Sequence, residues 1–307
     1  MRASRQILAV LIAFLSAHLS VGQNVLASTE FEGDNISEVV IRNTFCDVNL
    51  EGGNKLYFKG VIEGRGDRGD FEIQTELDGD RLEIVVRSRT RNWNWNKISR
   101  SRLDLTVPAG IEVYVENTSG DTYGRSLSGS EIEIEATSGD IDLSDITADV
   151  RIDVTSGDIE IEDMTGRLEI ESSSGDMDLN DIDGDIRTRS TSGDVEIRRF
   201  TGNIQSRSTS GELTVSRGKG ALNLRSTSGN IEGYDLEITD DLFLEASSGE
   251  IEIELVNEIE DLNFELESGS GNLRAGRRSG EKDLYIKRGD GFWVKGVTTS
   301  GDIDITN

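Results

Sequence analysis

From Ile141 onward, apolar and polar positions alternate in short runs: Ile141/Leu143, Ile159/Ile161, Met177/Leu179, Val195/Ile197 and Leu213/Val215, then Ile251/Ile253 and Ile303/Ile305. Acidic side chains stand between most of them. A period of two marks a strand with one buried face. Each run follows a Ser-Gly pair, whose glycines fall at 120, 139, 157, 175, 193, 211, 229, 249, 271 and 301. Through the middle of the chain the spacing is 18 residues. A second set of marks, Ala148, Gly166, Gly184, Gly202 and Gly220, stands nine residues before the next Ser-Gly glycine and opens runs such as Val150/Ile152 and Leu168/Ile170. Each 18-residue period therefore predicts two short strands and two tight turns.

A nine-residue unit cannot bury its apolar face alone, but stacked units can. An antiparallel sandwich would show Asn-Gly or Asp-Gly hairpin turns and no fixed register. The predicted fold class is thus all-β: a single-stranded parallel β-solenoid, β-helix-like, with about 18 residues and two short strands per coil, behind an irregular N-terminal β cap. A third apolar column, Ile146, Met164, Ile182 and Phe200, precedes the midpoint marks, while Val154, Ser172, Ser190 and Ser208 precede the Ser-Gly turns. One edge of the coil is filled by bulk, the other by small or polar groups.

The domain reading is residues 1–27 as a signal peptide, 28–116 as the cap with irregular coils, and 117–307 as one continuous repeat solenoid. The leader has Arg2 and Arg5, then an apolar run from Ile7 to Leu15, then small residues. That is the layout of a secretory signal, cleaved after Gly22 or Ala27. No cysteine lies beside either point, which argues against a lipid-anchored precursor. The expected location is exported: periplasm, cell surface or secreted medium, with no membrane span in the mature chain.

Charge narrows the partners. The chain carries a net −27. The leader holds two of the 32 basic residues and none of the 59 acidic ones, so the remainder carries −29. Such charge disfavours nucleic acid and anionic membranes. The only histidine, His18, lies in the leader, which removes the commonest general base and transition-metal ligand from the mature chain. The single cysteine, Cys46, allows no internal disulfide and is expected to be buried in a strand.

The stretch "LDLTVPAGIEVYVENTSGD", followed by repeated "TSGDI", resembles the bacterial putative-adhesin family, domain of unknown function family 4097. The resemblance runs from about Ile41 to Asn307. It implies a β-helix-like solenoid and an adhesive role, and supplies no catalytic residues.

Three constellations are candidates for chemistry. Asp140, Asp158, Asp176 and Asp194 recur after the turn glycines, with Asp142, Glu160, Asp178 and Glu196 two residues on. Stacked carboxylates could bind Ca2+, which takes oxygen ligands, but these turns lack the doubled glycines of calcium-binding β-rolls; a solvated acidic face and no cofactor is the favoured reading. Arg189, Arg207 and Arg225 share one register position, and residues 181–230 carry 6 acids and 8 bases in an otherwise acidic chain. This column reads either as an anion-binding patch or as local charge balance. Trp93 and Trp95, interleaved with asparagines, form a polar loop suited to partner or sugar contact. Phe292 and Trp293 are expected inside.

The function read from these features is an exported, non-enzymatic, adhesin-like scaffold with an envelope or extracellular protein or glycan as partner. The alternatives are a polysaccharide-binding or polysaccharide-active protein, such as a lyase or hydrolase, and a calcium-dependent module. The last strand, from Ile303, has no evident cap, so self-association through an open solenoid end is a further expectation.

Overall fold

The computed structural model describes residues 24–67, 69–89 and 98–307. It is almost entirely β, with 27 strands in one hydrogen-bonded system, mostly parallel. Among the described residues no helix is long and apolar enough to cross a membrane.

The repeat folds as its period predicts. The strand Ile159–Thr165 follows a Ser-Gly turn, and Leu168–Ser174 follows the midpoint glycine. Each pairs in parallel with the strand 18 residues on, Ile159 with Met177 and Leu168 with Ile186. Two ladders result: a first ladder of strands after Ser-Gly turns, and a second of strands after midpoint marks. Their inward residues, among them Ile159, Ile161, Leu168 and Ile170, are buried. Each such aliphatic side chain contributes roughly 1.5–3 kcal/mol on burial.

The coil has a third bend, formed without glycine. Asp145, Asp163, Asp181, Arg199, Arg217 and Asp235 all adopt a left-handed backbone, with φ between 51° and 57°. A strict alternation from Leu143 would point Asp145 inward and Ile146 outward. The left-handed residue re-phases the chain, so two consecutive residues face solvent and Ile146 turns in. This is why Ile146, Met164, Ile182 and Phe200 form a third buried column. Aspartate tolerates this conformation better than most residues.

Glycine is required at the Ser-Gly turns for two reasons. Gly157 has φ 141°, and a Cβ there would lie 2.0 Å from the carbonyl oxygen of Gly139 one coil below. Stacked turn backbones leave no room for a side chain.

The aspartate after each glycine ties the coils together. Asp140 Oδ1 accepts the backbone N–H of Asp158 at 3.0 Å, Asp158 Oδ1 that of Asp176 at 2.9 Å, and Asp176 Oδ1 that of Asp194 at 2.8 Å. Glu212 N–H continues the series onto Asp194 Oδ1 at 2.8 Å. The midpoint turns repeat the device, with Arg167 N–H on Asp149 and Asn203 N–H on Asp185.

Neither end of the solenoid follows chain order. The strand Ile303–Thr306 pairs with Ile251–Leu255 on one side and with Leu273–Ala275 on the other. On the second ladder, Trp293–Ser300 likewise lies between Leu242–Ser248 and Asn263–Ser268. The glycine column shows the same order, with Gly301 stacked on Gly249 and Gly271 on Gly301. The chain skips one coil position, builds the coil beyond it, and returns to fill the gap. The expectation of an open last strand is therefore corrected: Ile303–Thr306 is internal. The end is covered instead by two short antiparallel strands, Arg278–Gly280 and Asp283–Ile286.

The N-terminal end is built in the same manner. Glu38–Asn43 sits between Arg81–Ser88 and Glu112–Asn117, and Asp47–Gly53 between Ile98–Pro108 and the start of Thr122–Ser138. Antiparallel pairs close the cap: Leu56–Gly64 lies between Asn24–Gly33 and Ile98–Pro108, and Phe71–Asp78 pairs with Arg81–Ser88. Cys46 is buried here, and burial, with Asp47 beside it, pushes its thiol pKa up to about 12.

Candidate functional site

The outward residues of the two ladders differ in kind. On the first ladder Asp142, Glu160, Asp178 and Glu196 stack in successive coils. Arg198 reaches both Asp178 and Glu196, at 2.9 and 2.6 Å, while Asp142 and Glu160 have no basic partner within 4 Å among the described residues. The turn carboxylates Asp140, Asp158, Asp176 and Asp194 each commit one oxygen to a backbone N–H of the next coil. At the C-terminal end of this series, the N–H of Asn272 holds the Asp302 carboxyl below its usual range. Among the described residues no three His, Cys, Asp or Glu side chains converge as a metal site.

The second ladder presents a grid of outward side chains, three to a strand. The strand Ile186–Ser192 and the residue before it present Asp185, Arg187 and Arg189. The next coil presents Asn203, Gln205 and Arg207, and the next Ala221, Asn223 and Arg225. Then come Asp241, Phe243 and Glu245. Two successive coils thus carry no carboxylate at these six positions, in a chain whose surface is otherwise acidic.

Hydrogen bonds order this patch. Arg187 donates Nε and Nη2 to Gln205 Oε1, at 3.2 and 2.9 Å. Arg225 donates Nε to Asn223 Oδ1 at 3.1 Å and pairs with Glu245 at 3.0 Å. Arg189 pairs with Glu171. The carbonyl oxygens of both amides are occupied, so Gln205 Nε2 and Asn223 Nδ2 are left as donors. Arg207, exposed between Arg189 and Arg225, has no carboxylate within 4 Å among the described residues. The centre of the face offers N–H groups and few acceptors.

Phe243 borders the patch. It faces outward in register with Asn223, 41% exposed, with Lys295 Nζ 5.3 Å from its ring centroid. A groove of about 690 Å³ runs along Arg187, Gln205, Asn223 and Phe243, with the carboxylates of Glu169 and Asp185 at one end and those of Asp240 and Asp241 at the other. A second, of about 370 Å³, continues past Phe243 toward Arg225 and Lys295. Trp293 packs beside Tyr285 with ring centroids 5.5 Å apart. The expectation that Phe292 and Trp293 lie inside is corrected: Phe292 is exposed and Trp293 half-buried. They stand at the start of the threaded last coil, before the inward Val294.

Of the residues singled out in the sequence, Arg189, Arg207 and Arg225 do stack in adjacent coils. Trp93 and Trp95 lie outside the described residues. Sequence reasoning missed Phe243, Gln205 and Asn223. The signal was present: an aromatic and two amides occupy register positions where earlier coils carry Arg151 and Glu169.

Several solved structures match the chain at low identity. A "putative adhesin" from Bacteroides fragilis NCTC 9343 is 12% identical, covering 77% of this chain and 98% of its own, with a TM-score of 0.44. A "putative adhesin" from Parabacteroides distasonis ATCC 8503 is 12% identical over 75% and 96%, with a TM-score of 0.46. A "putative lipid binding protein" from the same organism is 15% identical over 92% and 96%, with a TM-score of 0.44. No curated protein sequence matches the chain. The model of the Toastrack DUF4097 family matches residues 104–217 and again 201–306, together most of the chain. The chain belongs to the Toastrack DUF4097 family.

Proposed function

We propose that this protein is an exported, non-enzymatic scaffold of adhesin type, which presents the second ladder's outer face to a cell-envelope or extracellular partner. The observation that carries this reading is that face itself. The groove of about 690 Å³, the exposed Phe243 and the carboxylate-free coils lie together on a parallel sheet. Strands fixed on both sides by neighbouring coils hold such a surface rigid, which lowers the ordering cost of binding. The names of the structural relatives are in keeping with a surface role.

Export follows from the leader. Cleavage after Gly22 leaves Asn24–Gly33 whole, with Leu26 buried and the strand paired to Leu56–Gly64. Cleavage after Ala27 would remove that pairing at residues 24–27, so the proposal takes the Gly22 site.

The test is co-sedimentation of the mature protein with envelope material from the producing cells, wild type beside Phe243→Ala. The reading predicts retention of wild type and a drop of several-fold for the variant. Wild type left in the supernatant, or equal retention of both, would overturn it.

A further inference from the structure

We infer that the second ladder's face is a binding site for an acidic polysaccharide, with Arg207 as its anionic-group anchor. The inference rests on the binding reading above and names its ligand.

Asn203, Gln205, Arg207, Ala221, Asn223 and Arg225 occupy two adjacent coils without a carboxylate. Arg189 and Arg225 are each held by a glutamate, Glu171 and Glu245. Arg207 stands between these two guanidiniums, stacked at the coil spacing of about 4.8 Å, with no counter-charge of its own. A guanidinium in this position is a fork of free donors aimed at solvent, matched to a carboxylate or other planar oxyanion.

The neighbouring groups point to a sugar more than to a bare anion. Arg187 and Arg225 fix the carbonyl oxygens of Gln205 and Asn223, which leaves their amide NH2 groups free. Hydroxyl and ring oxygens of a saccharide accept from such donors. Phe243, 41% exposed at the end of the same column, supplies an apolar surface for the C–H face of a sugar ring. An acidic peptide would bring its own backbone N–H donors to a face already rich in donors. A linear glycan lying along the stack meets one outward set of side chains per coil; the two grooves run together past Phe243, and Arg207 stands beside them, one outward position along the strand from Gln205.

The net negative charge of the chain does not oppose this at close range. Exposed charges beyond about 8 Å are largely screened at physiological ionic strength, and the acids of the first ladder lie on the other face; of the carboxylates at the groove's ends, Glu169 is paired by Arg151 and Arg187, Asp185 accepts the Asn203 N–H, and Asp241 is paired by Lys295.

The probe is polygalacturonate, compared with its fully methyl-esterified form, which keeps the sugar backbone and loses the charge. Binding is followed by calorimetry, with poly-glutamate and phosphatidylglycerol vesicles as further arms. The inference predicts that polygalacturonate binds at least tenfold tighter than the ester, and that Arg207→Gln removes most of that difference while melting like wild type. Phe243→Ala should weaken both polymers. Equal binding of acid and ester, or an unchanged preference in Arg207→Gln, would overturn the inference and leave the scaffold reading standing. Preferential binding of poly-glutamate or vesicles would overturn it in favour of that partner. Loss of envelope co-sedimentation in the wild type would instead remove the scaffold reading itself.

Discussion

The aspartate of the repeated Ser-Gly-Asp turn should act through its side-chain acceptor, with its charge a liability, and Asp158 is the place to separate the two. Its Oδ1 accepts the Asp176 N–H at 2.9 Å, while its own N–H donates to Asp140 Oδ1 at 3.0 Å. Asp158→Ala deletes the acceptor. Hydrogen bonds to charged groups contribute about 1.5–3 kcal/mol, and an exposed turn lets water take up the freed N–H, so the loss falls toward about 1–1.5 kcal/mol. Against this stands repulsion. The carboxylates of Asp140 and Asp176 lie one coil away, about 4.8 Å, where a like-charge pair in water costs just under about 1 kcal/mol before salt screening. Asp158→Asn removes the repulsion and keeps the acceptor, as Asn230 already does for the N–H of Glu250 at 3.0 Å. The bond in the Asn variant is to a neutral amide oxygen, so this variant should exceed the Ala variant by about 0.5–1 kcal/mol in urea unfolding, and should match or exceed wild type at low salt. Stacked repeats can lose two-state cooperativity, so hydrogen exchange of the Asp176 amide gives a local readout: faster in Asp158→Ala, unchanged in Asp158→Asn. Equal stability of the two variants with unchanged exchange would refute the ladder.

The threaded coil order predicts that Glu252→Cys with Asp304→Cys, adjacent in register, forms a disulfide on oxidation, because adjacent strands fall within the Cα range such bonds need. Glu252→Cys with Arg274→Cys, separated by the strand between them, should not, and the reverse result would restore chain order. Phe200 occupies the space above Gly218, where a Cβ would lie 2.1 Å from the ring. Gly218→Ala should thus be more costly in wild type than in Phe200→Ala, with a coupling of about 1 kcal/mol or more in a double-mutant cycle; additive effects would contradict the packing. Cys46 should resist thiol reagents until the protein unfolds. Its pKa is raised in the folded state, so its contribution to stability is fully present below about pH 9 and is lost as pH climbs toward about 12; a Cys46→Ala variant should show a flatter alkaline profile, and an equal slope would contradict it.

The solenoid was legible because its two determinants, alternation and an 18-residue glycine register, are local. The left-handed bend was not, since Asp145 and Arg199 carry no shared chemistry that marks it; only the apolar column of Ile146, Met164, Ile182 and Phe200, out of phase with Leu143 and Ile197, hinted that the alternation breaks. The threading of Ile303–Thr306 between older coils was hidden because nothing in "TSGDIDITN" says which neighbour it joins. The arginine column could be read from spacing alone. Its meaning could not, because what sets Arg207 apart is the engagement of its two neighbours by Glu171 and Glu245, a fact of side-chain geometry.

The account places binding on the second ladder's face and leaves the acidic first ladder as a solvated, structural surface. Phe243 and Tyr123 report on the two faces with nearly equal exposure, 41% and 40%. Hydroxyl-radical footprinting with and without saturating envelope polysaccharide compares them in one sample. The account predicts a several-fold drop in Phe243 oxidation on binding with Tyr123 unchanged; protection of Tyr123 with Phe243 unchanged would contradict it.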